Sequence, residues 1–307
     1  MIHLISFTDR GQELAETLAQ ELGGQAIRGM SLDQWTRENF RTGNALIFVG
    51  AAGIAVRTIA PYIQSKTTDP AVVVVDERRQ FAVPILSGHL GGANDLARKI
   101  AALCGTQPVI TTATDVNGVF AVDEWARRQN CALQNPEQIK TISRTLLAGG
   151  RVEISTCWPI AGAPPKGVAL NLVPRIVTLG VGCKRGTSVE ALETVFSALL
   201  KRERISEKAV CRVCSIDLKK DEPGLLAFCE THGLPFETYS AAELAAVEGD
   251  FPSSDFVREV TGVDNVCQRA AVLGSDGRLI GTRYAANGVT MALAEGSFTP
   301  DWRWRDE

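Results

Sequence analysis

The sequence predicts an α/β protein: an N-terminal domain on a largely parallel sheet, a helical middle region, and a smaller C-terminal α/β domain. Three observations predict it. Short apolar runs alternate with amphipathic stretches through residues 2–110, the rhythm of strands joined by crossover helices. Val72-Val73-Val74-Val75 is apolar at consecutive positions, as in a strand buried on both faces. The rhythm then restarts after residues 158–167, where proline, glycine and alanine dominate, the composition of a loop or linker. A chain of 307 residues also suits more than one domain at roughly 150 residues each. The expected divisions are 1–127 for the N-terminal domain, 128–174 for the middle region and linker, and 175–307 for the C-terminal domain.

Taken in order, residues 2–7 read as a strand, 12–22 as an amphipathic helix, and 45–49 as an apolar strand. A glycine loop then leads into a helix at 54–63. Residues 72–75 and 80–84 read as strands, 90–103 as a helix and 108–110 as a strand. Helical patterns follow at 116–129 and 136–148. Pro136 suits a first helical position and Gly149-Gly150 a helix stop. The second block reads as strand 175–179, helix 189–200, strand 211–216, helix 223–231, strand 236–239 and a helical stretch at 242–247. Residues 270–273 and 278–283 read as a hairpin around Ser275-Asp276-Gly277.

Composition narrows the function. A net charge of −3 gives no general attraction to nucleic acid or membrane. Met1-Ile2-His3-Leu4-Ile5-Ser6-Phe7 is too short and uncharged for a signal peptide. The longest apolar run, residues 45–56, is broken by glycines and too short to span a bilayer. The expectation is a cytoplasmic protein whose eight cysteines are free thiols. Cys211 and Cys214 have a metal-like spacing, but on a strand they face opposite ways, so packing is the expected role. With three histidines in the chain, no protein metal centre is expected.

Five loops leave strands and enter helices. Gly50-Ala51-Ala52-Gly53-Ile54-Ala55-Val56-Arg57 offers a helix N-terminus to an anion, with Arg57 in the first turn. The alternative is a tight turn with a surface arginine. Ser87-Gly88-His89-Leu90-Gly91-Gly92-Ala93-Asn94-Asp95 is denser in polar groups than a turn requires. His89 there suits a general base or a carboxylate donor, or a histidine bonded to backbone. Thr111-Thr112-Ala113-Thr114-Asp115 can orient a ligand or cap the next helix. Gly180-Val181-Gly182-Cys183-Lys184-Arg185-Gly186-Thr187-Ser188 places two cations among glycines, which suits carboxylates or phosphates. Its third glycine comes one position late for a dinucleotide fingerprint, and Cys183 has no histidine near it in sequence to activate it. Lys219-Lys220-Asp221-Glu222-Pro223-Gly224 is as compatible with helix capping as with binding.

In their order along the chain these strings resemble the CbiG family, the cobalt-precorrin-5A hydrolases of anaerobic cobalamin biosynthesis. The resemblance runs from about residue 40 to 296 and rests most specifically on Ser-Gly-His-x-Gly-Gly-Ala-Asn at residues 87–94. It also takes in Asp69-Pro70-Ala71 through Asp76, and Asn287-Gly288-Val289-Thr290-Met291-Ala292. One departure is Gln268, where many relatives carry glutamate; a glutamine keeps hydrogen bonding but not proton transfer.

The resemblance implies a cobalt-containing, methylated tetrapyrrole rich in acetate and propionate groups as substrate. It implies hydrolysis of the ring A acetate δ-lactone with loss of a two-carbon unit as acetaldehyde. The cobalt arrives inside the substrate, so no further cofactor is implied. His89 is the first candidate for the base and Asp76 the second. Gly50, Gly53, Arg57, Ser87, Gly88, Gly91, Gly92, Asn94, Thr111, Thr112 and Asp115 are candidate substrate contacts in the N-terminal domain. Gly182, Lys184, Arg185, Gly186, Lys220 and Glu222 are those of the C-terminal domain. Other enzymes of the pathway are candidate partners. Two rivals share these features: a non-catalytic tetrapyrrole-binding or channelling protein of the same pathway, and a nucleotide-binding enzyme using residues 180–186.

Overall fold

The structure, a computed structural model, describes residues 1–156 and 170–303. The linker read from the sequence at residues 158–167 lies outside the described residues. The chain forms two compact units, residues 1–127 with 139–151, and residues 128–138 with 152–307.

The first unit runs β1 (Ile2–Ser6), α1 (Asp9–Leu22), β2 (Gln25–Arg28), α2 (Leu32–Asn39), β3 (Ala45–Val49), α3 (Ala52–Ile59) and β4 (Ala71–Val75). It continues with β5 (Phe81–Leu86), α4 (Ala93–Cys104), β6 (Gln107–Pro108), α5 (Ala113–Val116), α6 (Val122–Arg128) and α7 (Ile139–Leu147). Its sheet has the order β2-β1-β3-β4-β5-β6. The four valines of β4 divide as a doubly covered strand must. Val73 and Val75 pack with Leu14, Leu18, Leu96 and Ile100 of α1 and α4. Val72 and Val74 pack with Trp35, Ala55 and Ile59 of α2 and α3. The predicted helix at 116–129 is divided into α5 and α6, with Gly118 at φ +67° between them.

The strand β5 departs from the parallel rhythm. β1 to β4 pair in parallel, but β5 runs antiparallel to β4, with Val75 opposite Ala82 and Val72 opposite Leu86. Only residues 76–80 join the two strands, and a parallel return needs a crossover of a dozen residues or more. This reversal sets the position of everything that follows. The loop after β5 opens at the edge where β4 begins, not at the carboxyl edge of β1, β3 and β4. β6 is parallel to β5, so residues 109–115 run to that same edge.

The second unit contains a three-stranded sheet of β7 (Cys131–Leu133), β8 (Ile154–Thr156) and β9 (Leu170–Pro174), in the order β7-β9-β8. Its main sheet is built from β10 (Val177–Cys183), β11 (Val210–Ile216), β12 (Phe236–Tyr239), β13 (Arg278–Ala286) and β14 (Val289–Glu295). The order is β12-β11-β10-β14-β13, with β10 to β12 parallel and β13 and β14 antiparallel. Helices α8 (Val189–Glu203) and α9 (Pro223–His232) cover one face through Leu192, Phe196, Leu225 and Phe228. Helices α10 (Ala241–Ala245), α11 (Asp255–Thr261) and α12 (Cys267–Ser275) follow β12. α12 lies so close to β10 that a Cβ on Gly180 would overlap the Cys267 carbonyl oxygen.

The predicted hairpin around residues 275–277 is instead the end of α12 and the start of β13. The hairpin of this region turns at Asn287 and Gly288, both with positive φ. An Asn-Gly pair is the stronger two-residue turn signal. Cys214 is buried on β11, and burial pushes its thiol up to about 12; the described cysteines are free thiols. Among the described residues no helix is long and apolar enough to cross a membrane.

Candidate functional site

The loop between β5 and α4 folds back on itself. Ser87 adopts φ +54°, a conformation that costs a non-glycine residue strain. Its carbonyl accepts the N–H of Ala93, the Gly88 carbonyl that of Asn94, and the His89 carbonyl that of Gly92 at 3.0 Å. Arg127 Nε also donates to the His89 carbonyl, at 2.9 Å. The carbonyls of Ser87, Gly88 and His89 are therefore occupied. The N–H groups of Gly88, His89, Leu90 and Gly91 donate to no acceptor among the described residues. The fold is tight enough that a Cβ on Gly91 would overlap Ser87 and come within 2.8 Å of its carbonyl oxygen.

His89 points into a cluster of carboxylates. Its Nε2 lies 2.7 Å from Asp115 Oδ2 and 3.6 Å from Glu124 Oε2, and its Nδ1 lies 3.2 Å from Asp123 Oδ1. The ring is 10% exposed. Burial opposes a charge on it, but the hydrogen bonds and charges of Asp123 and Asp115 prevail and raise its pKa to about 9. Burial likewise opposes the Asp123 charge, and His89 outweighs it, holding that carboxyl below its ordinary range. Both ring nitrogens face carboxylate oxygen, so His89 stands at neutral pH as an imidazolium.

Around this centre, Asn94 Nδ2 donates to Asp115 Oδ2 and to Thr112 Oγ1, each at 3.1 Å. Arg98 Nη2 pairs with Asp115, and its Nη1 reaches Glu124 Oε1 at 3.2 Å and Asp95 Oδ1 at 2.8 Å. Arg127 pairs with the other Asp95 oxygen. His89 Nε2 and the Asp115 and Glu124 oxygens lie within 4.8 Å of one another, a donor set that can suit a divalent cation. Arg98 already bonds both carboxylates, so the cluster reads as a proton and ion-pair network.

Ser87, Gly88, His89, Gly91, Gly92, Asn94, Thr112 and Asp115 are thus brought together, with Thr111 exposed beside them. The sequence reading named Asp95 in this loop without giving it a role, and it missed Arg98, Asp123, Glu124 and Arg127. The available signal was Asp123-Glu124 inside the otherwise apolar run from Val119 to Trp125, where charges require partners.

The other candidates of this unit lie elsewhere. Gly50 ends β3 against the Phe7 ring, and the Arg57 guanidinium lies over Gly53, 3.5 Å from where a Cβ would stand. Asp76 follows β4 and accepts the N–H groups of Arg78, Gln80 and Phe81 at 2.6–2.9 Å, closing the turn into β5. Gly50 and Asp76 stand at the carboxyl edge of the parallel strands and His89 at the opposite edge. The length of β4, about 16 Å at 3.3 Å per residue, separates the two groups.

In the second unit the loop after β10 and the turn after β11 meet. Glu222 is buried; its Oε1 accepts the Gly186 N–H at 2.8 Å and its Oε2 lies 3.3 Å from Lys219 Nζ. Lys184, Arg185 and Lys220 are exposed. Gly182 packs on Thr290, whose Oγ1 donates to the Gly182 carbonyl at 3.1 Å. Burial raises the Cys183 thiol and the nearby Lys219 opposes that rise. Gln268 is buried, with its Oε1 accepting from Asn265 Nδ2 at 2.7 Å and its N–H bonded to Asn265 Oδ1.

The second cluster, and the part of the first up to Asp115, fall in two segments with known relatives. Residues 34–115 match the cobalamin synthesis G N-terminal family, and residues 177–294 match the cobalamin synthesis G C-terminus family. A cobalt-precorrin-5A hydrolase of Salmonella typhimurium (strain LT2) is 39% identical over 84% of this chain and 83% of its own length. The chain belongs to the cobalamin synthesis G family. A cobalt-precorrin-5A hydrolase of Priestia megaterium is 32% identical over 95% of this chain and 87% of its own. A solved cobalamin biosynthesis protein G homolog from Sulfolobus solfataricus aligns with a TM-score of 0.42 at 21% identity, covering 96% of this chain and 97% of that one. The first family segment includes Arg57, Asp76, His89, Asn94, Arg98 and Asp115, whereas Asp123 and Glu124 lie beyond its end.

Proposed function

We propose that this member of the cobalamin synthesis G family is a cobalt-precorrin-5A hydrolase. It opens the ring A acetate δ-lactone of a cobalt-corrinoid and releases acetaldehyde, giving cobalt-precorrin-5B. The observation that carries this reading is identity to two relatives of that name over most of the chain. The His89 loop, which lies within the matched N-terminal segment, adds chemistry that fits.

Lactone hydrolysis needs a water that loses a proton, donors for the oxyanion, and an acid for the departing alkoxide. The N–H groups of residues 88–91, left without acceptors among the described residues, supply oxyanion donors. His89 is held as a cation and therefore acts first as the acid, protonating the alkoxide that leaves the acyl carbon. A carboxylate of the cluster takes the proton of the attacking water and later releases it to solvent. His89, now neutral, next removes the proton of the freed hydroxyl. The C–C bond to the macrocycle breaks, its electrons remain on the macrocycle, and the C–O bond becomes the carbonyl of acetaldehyde. Lys184 and Arg185 receive substrate carboxylates.

The test is anaerobic turnover of cobalt-precorrin-5A by the purified protein, assayed for acetaldehyde, with His89→Gln in parallel. Acetaldehyde from the wild type and a loss of about 100-fold or more in the variant support the reading. A folded wild type that binds the corrinoid and releases no acetaldehyde overturns it in favour of a carrier. Full activity in His89→Gln removes His89 from the chemistry.

A further inference from the structure

We infer that Glu222 is a positioning residue, a buried carboxylate that fixes the turn at residues 184–187 so that Lys184 and Arg185 receive the acidic side chains of the substrate. This rests on the hydrolase reading and extends it to the second unit.

The turn stands at the carboxyl edge of β10, where β11 lies on one side and the antiparallel β14 on the other. Open α/β sheets bind ligands outside the carboxyl ends of their parallel strands, and this is that edge of β10 and β11. The turn is tied down from three directions. Glu222 accepts the Gly186 N–H at 2.8 Å from the start of α9. Thr187 Oγ1 donates to the Lys184 carbonyl at 2.7 Å and closes the turn internally. The Asn287–Gly288 hairpin lies under the Lys184 stem, with the Lys184 N–H donating to the Gly288 carbonyl at 3.3 Å. The approach of α9 is close enough that a Cβ on Gly224 would overlap the Thr187 carbonyl oxygen.

The turn is thus ordered from beneath while its cations are left to solvent. Lys184 and Arg185 are exposed and form no ion pair among the described residues. A carboxylate beside such cations would ordinarily neutralise them. Glu222 instead is 5% exposed at its side chain and is committed to Lys219 and to backbone. The arrangement holds two positive charges at a fixed spacing, which lowers the ordering cost of binding a polyacid.

The experiment compares Glu222→Leu, Glu222→Gln and Thr187→Val with the wild type in anaerobic turnover of cobalt-precorrin-5A, alongside corrinoid affinity by tryptophan quenching. Glu222→Leu should raise KM about tenfold, the loss of roughly one charge-assisted contact, with kcat unchanged. Glu222→Gln keeps an acceptor for the Gly186 N–H and should recover most of that loss. Thr187→Val, a nearly isosteric change at a half-buried site that removes the bond to the Lys184 carbonyl, should raise KM in the same way if Glu222→Leu fails to fold. A folded Glu222→Leu with wild-type KM and affinity overturns the inference while wild-type turnover leaves the hydrolase reading standing. A fall in kcat at constant KM also overturns it. If the wild type gives no acetaldehyde, the hydrolase reading fails and the affinity series alone decides the role of Glu222.

Discussion

His89 and Asp123 are joined through Nδ1, 3.2 Å from Oδ1, on the side of the ring opposite the Asp115 contact. Asp123 therefore helps to set the charge of the ring. The chain has three histidines, so NMR titration can follow His89 directly. Its ring should titrate near 9 in the wild type. In Asp123→Asn one charge is lost and the midpoint should fall toward the ordinary 6.5. An unchanged midpoint in that variant would show that Asp115 alone controls the ring.

The same contacts make stability depend on pH. The folded pKa of His89 lies above its unfolded value, so the folded state binds the proton more tightly. The stabilisation is fully present below about 6.5 and is lost as pH rises through about 9. It is on the order of 3 kcal/mol. Urea denaturation of wild type and His89→Gln should show a stability difference that shrinks across that window. A difference constant from pH 6 to 10 contradicts the ion-pair account.

Arg98 is the cation that binds Asp95, Asp115 and Glu124 together. Arg98→Met leaves the nearly buried Asp115 and Glu124 side chains with one cation fewer. Arg98 itself is partly exposed and His89 remains beside them, so the loss should be about 1–3 kcal/mol. Arg98→Lys should recover part of this, since an ammonium cannot bridge three carboxylates as a guanidinium does. Denaturation midpoints of the two variants test the ordering.

Much of this was legible in the sequence, and what was not has physical causes. The four valines of β4 fixed a strand covered on both faces because apolar residues at consecutive positions have no other stable use there. The density of polar groups at residues 87–94 marked the loop that holds His89. The direction of β5 was not legible, because strand propensity carries no sign; the brevity of residues 76–80 was the clue. That direction places His89 and Asp76, paired as candidates from the sequence, at opposite edges of one sheet. Asp123 and Glu124 were hidden for another reason. They serve His89 from more than thirty residues away, and only the folded chain brings them to its ring.

His3 gives the opposite pH dependence. It is buried on β1, and its Nε2 has no hydrogen-bond partner among the described residues. Burial, and then the N-terminal charge, lower its pKa below 6.5. The unfolded chain binds this proton more readily, so the stability His3 permits is present above about 6.5 and is lost as pH falls below it. His3→Leu should flatten the acid side of the stability curve. A variant that loses stability in parallel with the wild type below pH 6 would place the acid sensitivity elsewhere.

The two glycine loops of the first unit should respond differently to a single methyl group. At Gly91 a Cβ would overlap Ser87, 2.8 Å from its carbonyl oxygen and 3.2 Å from the Ala71 nitrogen. None of these is the end of a flexible side chain, so Gly91→Ala must move the loop, at a cost of about 1–3 kcal/mol. The N–H groups of residues 88–91 move with it, so kcat should fall along with the melting temperature. At Gly53 the nearest atoms belong to the Arg57 guanidinium, at 3.5 Å, an ordinary contact with a mobile group. Gly53 lies within α3, where alanine is favoured over glycine by about 0.5–1 kcal/mol. Gly53→Ala should therefore melt at or slightly above the wild-type temperature. Thermal denaturation of both variants checks the pair, and a Gly91→Ala protein as stable as Gly53→Ala would mean the loop is looser than its contacts require.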